Sequence, residues 1–276
     1  MKSGSAQSTV LEYPGKPPQP NAEHMLKSVI DIVEALAADV RGPERPPASF
    51  EELRAVFSAI DDPLAANLRA ALTELRPAAW ADEFDDLPGG EVWVVDALDG
   101  AVQLLQGLPQ YCLTVTLVRD GDPELAVLHS PWLKETYAAR RGAGATRNGE
   151  PIKPSRKKAL EAAVAATSQP PFVTTQPGVA EAAGTSLTAV LAQAAAVRNL
   201  GPTSWQVADV AAGRLDFFWQ YGTDATNLAG AALVAREAGA VVTTADGAPW
   251  TPSAGSFLAA APGLHAAAVG LLRQAE

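Results

Sequence analysis

The sequence predicts an α+β fold, with an antiparallel sheet in its first half and an α/β arrangement in its second half. Two patterns lead to this prediction. Apolar residues at helical spacing come first, and strand-like runs separated by turn residues follow them. Beyond about residue 157, alanine-rich segments of helical period alternate with short apolar strands. We therefore expect a flexible arm over 1–21, an α+β half over 22–155 and an α/β half over 156–276.

The helices of the first half are predicted from apolar spacing and cap residues. One helix is expected from Asn21 to Gly42, where apolar residues recur every three or four positions. A second, short helix is expected over 50–60, with the sequence FEELRAVFSAI. A third is expected to begin with Asp62 as its N-cap and Pro63 in its first turn. Proline suits that position because the first turn of a helix does not use its N–H groups.

Strands and further helices complete the expected order of elements. In the first half the strand-like runs are EVWVV, CLTVTLV, ELAVLHS and ETYAA. In the second half the helical segments are GVAEAAGTSLTAVLAQAAA, SWQVADVAAG, TNLAGAALVAREAG and GLHAAAVGLLRQA. The strands between them are AVRNL, LDFFWQ, AVVTTA and SFLAA. Together they predict a meander followed by alternating helices and strands.

Composition limits the partners and the compartment. The formal net charge of −10 opposes binding to nucleic acid or to an anionic membrane surface. Cys112 is the single cysteine, so no internal disulfide can form, and its apolar surroundings predict a buried structural thiol. No apolar run approaches the ~20 residues that cross a bilayer, and the first residues lack the apolar segment of a signal peptide. We expect a cytoplasmic protein.

The stretch VWVVDALDG places two aspartates at the end of a strand. Asp96 and Asp99 can present their carboxylates to one pocket, an arrangement typical of a divalent-cation site. Two residues separate them, whereas a nucleophile of the haloacid dehalogenase type needs one. The sequence also has no Walker A glycine loop to accompany a nucleotide-hydrolysing aspartate. The alternative is that both aspartates simply cap a turn.

Four segments in order resemble the inositol monophosphatase family, whose magnesium-dependent, lithium-sensitive phosphomonoesterases share a fold with fructose-1,6-bisphosphatases. They are WVVDALDGAVQLLQGLP, LAVLHSPWLKETYAARRGAGATRNGEPI, VADVAAGRLDFFWQ and AGAALVAREAGAVVTTADG. The resemblance covers roughly residues 55–260. It implies a layered α-β-α-β-α sandwich of the sugar-phosphatase type, a small phosphorylated molecule as ligand, and a homodimer. The tryptophans fit an apolar interface of that kind.

The first family signature is partly retained. The family reads Asp-Pro-Ile-Asp-Gly-Thr, and this chain reads Asp-Ala-Leu-Asp-Gly-Ala from Asp96 to Ala101. The resemblance therefore implies that Asp96 and Asp99 are metal ligands. It places Ala101 at the position of the threonine that helps to ligate metal and orient water. Independently of side chains, the amides of Gly100 and Ala101 at a helix start could bind phosphate.

Other acidic positions of the family have counterparts before this motif. The metal-bridging glutamate of the family's Gly-Glu-Glu segment matches Asp82, with Glu83 beside it as the alternative ligand. The aspartate that acts with the threonine and the water matches Asp61. These assignments come from the resemblance alone.

Downstream, two family carboxylates are replaced by amides. The metal-binding aspartate of the second signature falls on Asn227, and the glutamate that holds substrate hydroxyls falls on Gln220. The substrate-side Gly-Ser-Ala segment becomes Gly-Pro-Thr, ending at Thr203. Hydrolysis of this kind relies on paired cations held by carboxylates. We expect weak binding of Mg²⁺, with as few as one ion bound.

The function predicted is that of an inositol-monophosphatase-like pseudoenzyme. It would be a weak or inactive phosphomonoesterase that still binds a phosphorylated ligand. Two alternatives stay open. One is an active Mg²⁺-dependent phosphatase of a small polyol, sugar or nucleotide phosphate with an altered metal site, and the other is different chemistry in the same pocket.

Overall fold

A computed structural model describes residues 22–81, 89–170 and 173–273. The helices are α1 Ala22–Ala37, α2 Phe50–Leu75, α3 Ala101–Leu105, α4 Val179–Leu191, α5 Thr203–Ala211, α6 Ala225–Ala238 and α7 His265–Leu272. The strands are β1 Ala79–Ala81, β2 Glu91–Asp99, β3 Cys112–Arg119, β4 Asp122–Ser130, β5 Glu135–Arg140, β6 Ala145–Arg147, β7 Glu150–Pro151, β8 Val164–Thr167, β9 Ala196–Arg198, β10 Phe217–Tyr221, β11 Val241–Thr243 and β12 Ser256–Ala260. The predicted arm over 1–21 lies outside the described residues.

The first sheet contains β1 to β7 in sequence order. Its strands from β2 onward pair antiparallel, as the turn-separated runs predict, and β1 pairs parallel with β2. Side chains alternate between its two faces along each strand. Leu125 and Val127 pack in the cluster that contains α1 and α2. Ala126 and Leu128 pack in the cluster that contains α5 and α6.

The second sheet has the order β11-β12-β10-β8-β9. Phe218 faces the cluster shared with α5, α6 and the first sheet, whereas Phe217 and Trp219 face α4 and α7. The layers are therefore α1 and α2, the first sheet, α5 and α6, the second sheet, and α4 with α7. This is the five-layer α-β-α-β-α arrangement, so the predicted fold class is confirmed.

The prediction of two helices over residues 50–77 is wrong, because one helix, α2, spans both segments with Pro63 inside it. Its N-cap is Ser49, whose Oγ accepts the N–H of Glu52 at 3.1 Å, not Asp62. A proline inside a helix removes one hydrogen bond and costs about 3 kcal/mol. The buried face nevertheless continues past the proline through Leu64, Leu68 and Leu72. Burial of these side chains offsets the local cost.

No helix within the described residues is long and apolar enough to cross a membrane.

The strands β1, β6, β7 and β8 were not predicted from the sequence. Each is short, with two to four residues, and a run of that length carries too little alternation to indicate a strand.

Candidate active site

The segment 96–100, which we call the acidic turn, covers the end of β2, where the ladder with β3 becomes irregular. Residues three apart on a regular strand point to opposite faces. The pairing register shifts between Asp96 and Asp99, which allows both carboxylates to face one side. Asp96 is half-buried and its Oδ1 accepts the N–H of Leu98 at 2.9 Å, whereas Asp99 is buried. The turn thus holds one carboxylate with a backbone donor.

Gly100 connects this strand to α3. Its φ of 89° is in the left-handed region, and an added Cβ would lie 2.9 Å from the carbonyl oxygen of Gln110. Only glycine tolerates both conditions. The helix then begins at Ala101, which agrees with the predicted helix start, and the half-buried Ala101 contributes only a methyl group.

Ser204 completes the surroundings of Asp99. The Ser204 Oγ donates a hydrogen bond to Asp99 Oδ2 and lies 3.4 Å from the Sγ of Cys112. Burial, and then the charge of Asp99, raise the pKa of the Cys112 thiol well above its usual range. Cys112 is fully buried, as predicted. Sequence reasoning missed Ser204 because a serine at the first position of a predicted helix has no distinctive pattern.

A second set of polar side chains forms a directed hydrogen-bond network. Thr203 Oγ1 donates to Gln220 Oε1 at 2.8 Å, and Gln220 Nε2 donates to Asp224 Oδ2 at 2.7 Å. Asn227 Nδ2 donates to Asp224 Oδ1 at 2.9 Å. All four side chains are buried. We call this set the amide arm, and we call Asp96, Asp99 and Ser204 the carboxylate arm.

The two arms meet at the start of α5. Thr203 and Ser204 are adjacent in the first turn of this helix, and one belongs to each arm. The carboxylate arm otherwise comes from the first sheet. The amide arm comes from β10 and α6 in the second half of the chain. The site therefore lies where the two halves meet, at the helix layer between the sheets.

Asp224 is a second residue of this site that sequence reasoning missed. Burial raises its pKa to about 6, and the hydrogen bonds from Gln220 and Asn227 oppose that rise. Asp224 is the N-cap residue of α6, and its carbonyl oxygen accepts the N–H of Leu228 at 3.1 Å. An aspartate three residues before Asn227 at a helix start was the available signal, since such residues are neighbours in the first turn.

The remaining predicted site residues fall elsewhere. Asp61 is half-buried in the middle of α2, and this helix packs against β2 and α3. Asp82 and Glu83 lie outside the described residues. The structure thus brings seven predicted positions to the two arms and the turn between β2 and α3: Asp96, Asp99, Gly100, Ala101, Thr203, Gln220 and Asn227.

Among the described residues, no group of three or more His, Cys, Asp or Glu side chains is placed to hold a metal ion. Asp96 and Asp99 supply two carboxylates, but the amide arm presents two neutral side chains that donate to Asp224. Mg²⁺ binds mainly through carboxylates, and it gives up its coordinated waters reluctantly to weaker ligands.

The layered fold and the acidic turn define a protein with sugar-phosphatase architecture. Residues 78–276 match the model of the inositol monophosphatase family. The chain belongs to this family, as the four sequence segments predicted.

Curated relatives carry two kinds of name. The chain is 31% identical to the inositol-1-monophosphatase of Rhizobium meliloti over 239 residues, which is 85% of this chain and 89% of that protein. It is 34% identical to the Nus factor SuhB of Pseudomonas aeruginosa over 151 residues, which is 55% of each chain.

Solved structures agree on the fold. The inositol monophosphatase of Anabaena superposes with a TM-score of 0.79 at 23% identity, over 92% of this chain and 97% of that one. Mycobacterium tuberculosis SuhB superposes with a TM-score of 0.76 at 25% identity, over 92% and 98% of the two chains.

Proposed function

We propose that this protein binds a small phosphorylated ligand in the family pocket and hydrolyses phosphomonoesters weakly or not at all. The supporting observation is the amide arm. Two positions at which the resemblance expects carboxylates hold Gln220 and Asn227, and both direct their N–H₂ groups to Asp224. Because these N–H₂ groups are used within the protein, the two positions supply neutral amides and no carboxylate oxygen of their own.

The amide at position 227 bears directly on metal binding. When bound, Mg²⁺ acts as a Lewis acid and lowers the pKa of a coordinated water. Asp96 and Asp99, with Asp82 or Glu83 as the third candidate, are the residues that would hold it. Asn227 contributes no negative charge to a second site. We expect Mg²⁺ to bind as one ion with a Kd in the millimolar range or weaker, by analogy with weakly charged oxygen sites.

The site also has fewer side chains that could position a water molecule. Ala101 has no hydroxyl to hold a water molecule at the position of the family threonine. Asp61 remains as the proposed acid beside it, on α2. The oxygens Asp96 Oδ1 and Asp99 Oδ2 each already accept one hydrogen bond within the protein. The residues of the chain therefore favour binding over activation of a nucleophile.

Phosphate recognition is proposed at the turn between β2 and α3. The left-handed Gly100 lets the backbone approach closely without a side chain, and the amides of Gly100 and Ala101 are the proposed donors. On the other side of the ligand, Thr203 and Gln220 would contact hydroxyl groups. Both functional groups of Gln220 already form hydrogen bonds with protein, so we expect that contact to be weak.

Phosphate release from inositol, sugar and nucleotide monophosphates tests the proposal. The assay contains excess Mg²⁺, with and without lithium, and the R. meliloti relative serves as the positive control. We expect turnover at least about a thousandfold below the control, since each lost group of a catalytic unit reduces the rate steeply. Lithium-sensitive release within about tenfold of the control would instead support the alternative hypothesis of an active phosphatase.

Calorimetry with Mg²⁺ tests the metal part separately. We expect one weak binding event in the absence of ligand. Two tight sites would contradict the proposal that the altered residues reduce metal binding. A parallel titration with inorganic phosphate measures whether an anion still binds when Mg²⁺ is replaced by EDTA.

A homodimer is proposed as the assembly. Trp132 and Leu108 are 61% and 49% exposed, and both line a cavity of about 580 Å³ beside the turn that follows α3. Exposed large apolar side chains grouped on one surface favour a protein–protein contact. Light scattering should give about twice the chain mass of 28.6 kDa at micromolar concentration. A mass of one chain would rule out the dimer.

A further inference from the structure

We propose that Asp224 has taken over the negative charge that the family resemblance places at position 227, and that it is the reason why residues 220 and 227 are both amides. This inference rests on the proposed function, because it explains how the pocket remains folded without a carboxylate at position 227. Asp224 acts as a positioning residue. It orients the two amide side chains that stand where the resemblance expects carboxylates.

The contact between residues 224 and 227 permits only one carboxylate. Asn227 Nδ2 lies 2.9 Å from Asp224 Oδ1, and the two residues are 4% and 8% exposed. If position 227 carried a carboxylate, the same contact would join two anionic oxygens with little water between them. Two like charges at that separation in a buried site repel strongly. The amide replaces this repulsion with a charge-assisted hydrogen bond.

The second oxygen of Asp224 has the same requirement. Gln220 Nε2 lies 2.7 Å from Asp224 Oδ2, and Gln220 is fully buried. Thr203 donates to the other end of this amide, so the orientation of Gln220 is fixed. A single buried carboxylate therefore accounts for the amide at both positions. The two changes form one unit and are not independent losses.

The backbone around Asp224 is held by contacts that involve none of the proposed metal ligands. Gln176 Nε2 donates to the carbonyl oxygen of Thr223 at 3.1 Å, and the Thr223 N–H donates to Gln176 Oε1 at 2.8 Å. Gly222, at φ 93°, has no room for a Cβ, which would lie 2.8 Å from Gln176 Oε1. The carboxylate of Asp224 is thus placed by the loop and by the start of α6.

The test is an exchange of the two side chains. Three variants are compared with the parent by thermal unfolding in EDTA at about pH 8: Asn227→Asp, Asp224→Asn, and the double variant with both changes. In the double variant, the new amide at 224 can still accept from Gln220 and can donate to the new carboxylate at 227. Asn199→Asp is the matched control, because Asn199 is exposed and the change adds the same charge.

We expect Asn227→Asp to lower the Tm by about 4 °C or more, whereas Asn199→Asp changes it by no more than about 2 °C. The double variant should recover at least half of the Tm lost in Asn227→Asp. If Asn227→Asp does not fold, soluble expression of the double variant is the readout, and recovery of folded protein supports the inference.

Two results would overturn it: a Tm for Asn227→Asp equal to that of the control, or a double variant at least as unstable as Asn227→Asp. Because EDTA is present throughout, these outcomes do not depend on metal binding or phosphate release. Failure of this inference in the unfolding experiment can therefore be distinguished from failure of the proposed function in the phosphate assay.

Discussion

The carboxylate arm and the amide arm belong to one site, but they differ in the groups that donate hydrogen bonds to their aspartates. In the carboxylate arm, Asp96 and Asp99 occupy the family positions and accept hydrogen bonds from a backbone N–H and from Ser204. In the amide arm, the acid stands at Asp224 and the family positions donate to it. On our inference, one relocated buried carboxylate determines the side-chain type at two neighbouring positions, whereas aspartates that have their own hydrogen-bond donors stay unchanged.

The largest expected effect comes from making the amide arm resemble the carboxylate arm. We predict that the triple variant Ala101→Thr, Asp224→Asn, Asn227→Asp raises Mg²⁺-dependent phosphate release on the order of a hundredfold or more. It places a hydroxyl at the turn and a carboxylate at position 227, and it removes the charge that opposes that carboxylate. Release is measured with excess Mg²⁺ on the panel of phosphomonoesters.

The matched control for this prediction keeps Asp224. Ala101→Thr with Asn227→Asp alone should gain less than about tenfold, because the new carboxylate then faces Asp224 and residues of one catalytic unit are far from additive. A double variant as active as the triple variant would show that the charge of Asp224 does not limit phosphate release. A folded triple variant with no gain would mean that the pocket has been rebuilt for another use.

A smaller effect separates the arms by stability. Gln220→Met keeps the side-chain length but removes the acceptor for Thr203 and one of the two amide donors to Asp224. We predict a loss of about 2–4 kcal/mol in the free energy of unfolding, since buried polar groups lose partners. Ser204→Ala in the carboxylate arm should cost about 1–2 kcal/mol. Urea unfolding measures both, and equal losses would remove the distinction between the arms.

The sequence was sufficient to predict the features that depend on local pattern. The strand EVWVV followed by the Asp-x-x-Asp-Gly turn predicted the position of Asp96 and Asp99, because a strand end and a glycine in the left-handed region follow from neighbouring residues. Apart from the short strand β8, the order of helices and strands in the second half followed from the apolar period in the same way.

Features that depend on tertiary contacts could not be predicted. Pro63 indicated a new helix start locally. The helix is nevertheless continuous, because Phe57 and Ile60 before the proline pack against the same hydrophobic cluster as the leucines that follow it. Asp224 is an ordinary N-cap residue in the sequence. Its partnership with Gln220 exists only because β10 and the start of α6 are brought together by the fold. Ser204 reaches Asp99 across 105 positions of sequence, which no local pattern encodes.

The smallest expected effect concerns Cys112, which reports on the carboxylate arm alone. The thiol is fully buried, and burial and the charge of Asp99 raise its pKa well above the usual range, so the reactive thiolate is scarce and inaccessible. We predict that a thiol reagent at about pH 8 modifies the native protein at less than about a hundredth of the rate seen in concentrated urea.

Gln220→Met should leave the native rate unchanged within about threefold, because the arms share only the adjacent residues Thr203 and Ser204. The rate is followed by the absorbance of the released aromatic thiolate, and the unfolded protein supplies the value for full exposure. Rapid modification of the native parent would show that the carboxylate arm opens readily. Acceleration by Gln220→Met alone would show that the two arms open together and form one cooperative unit.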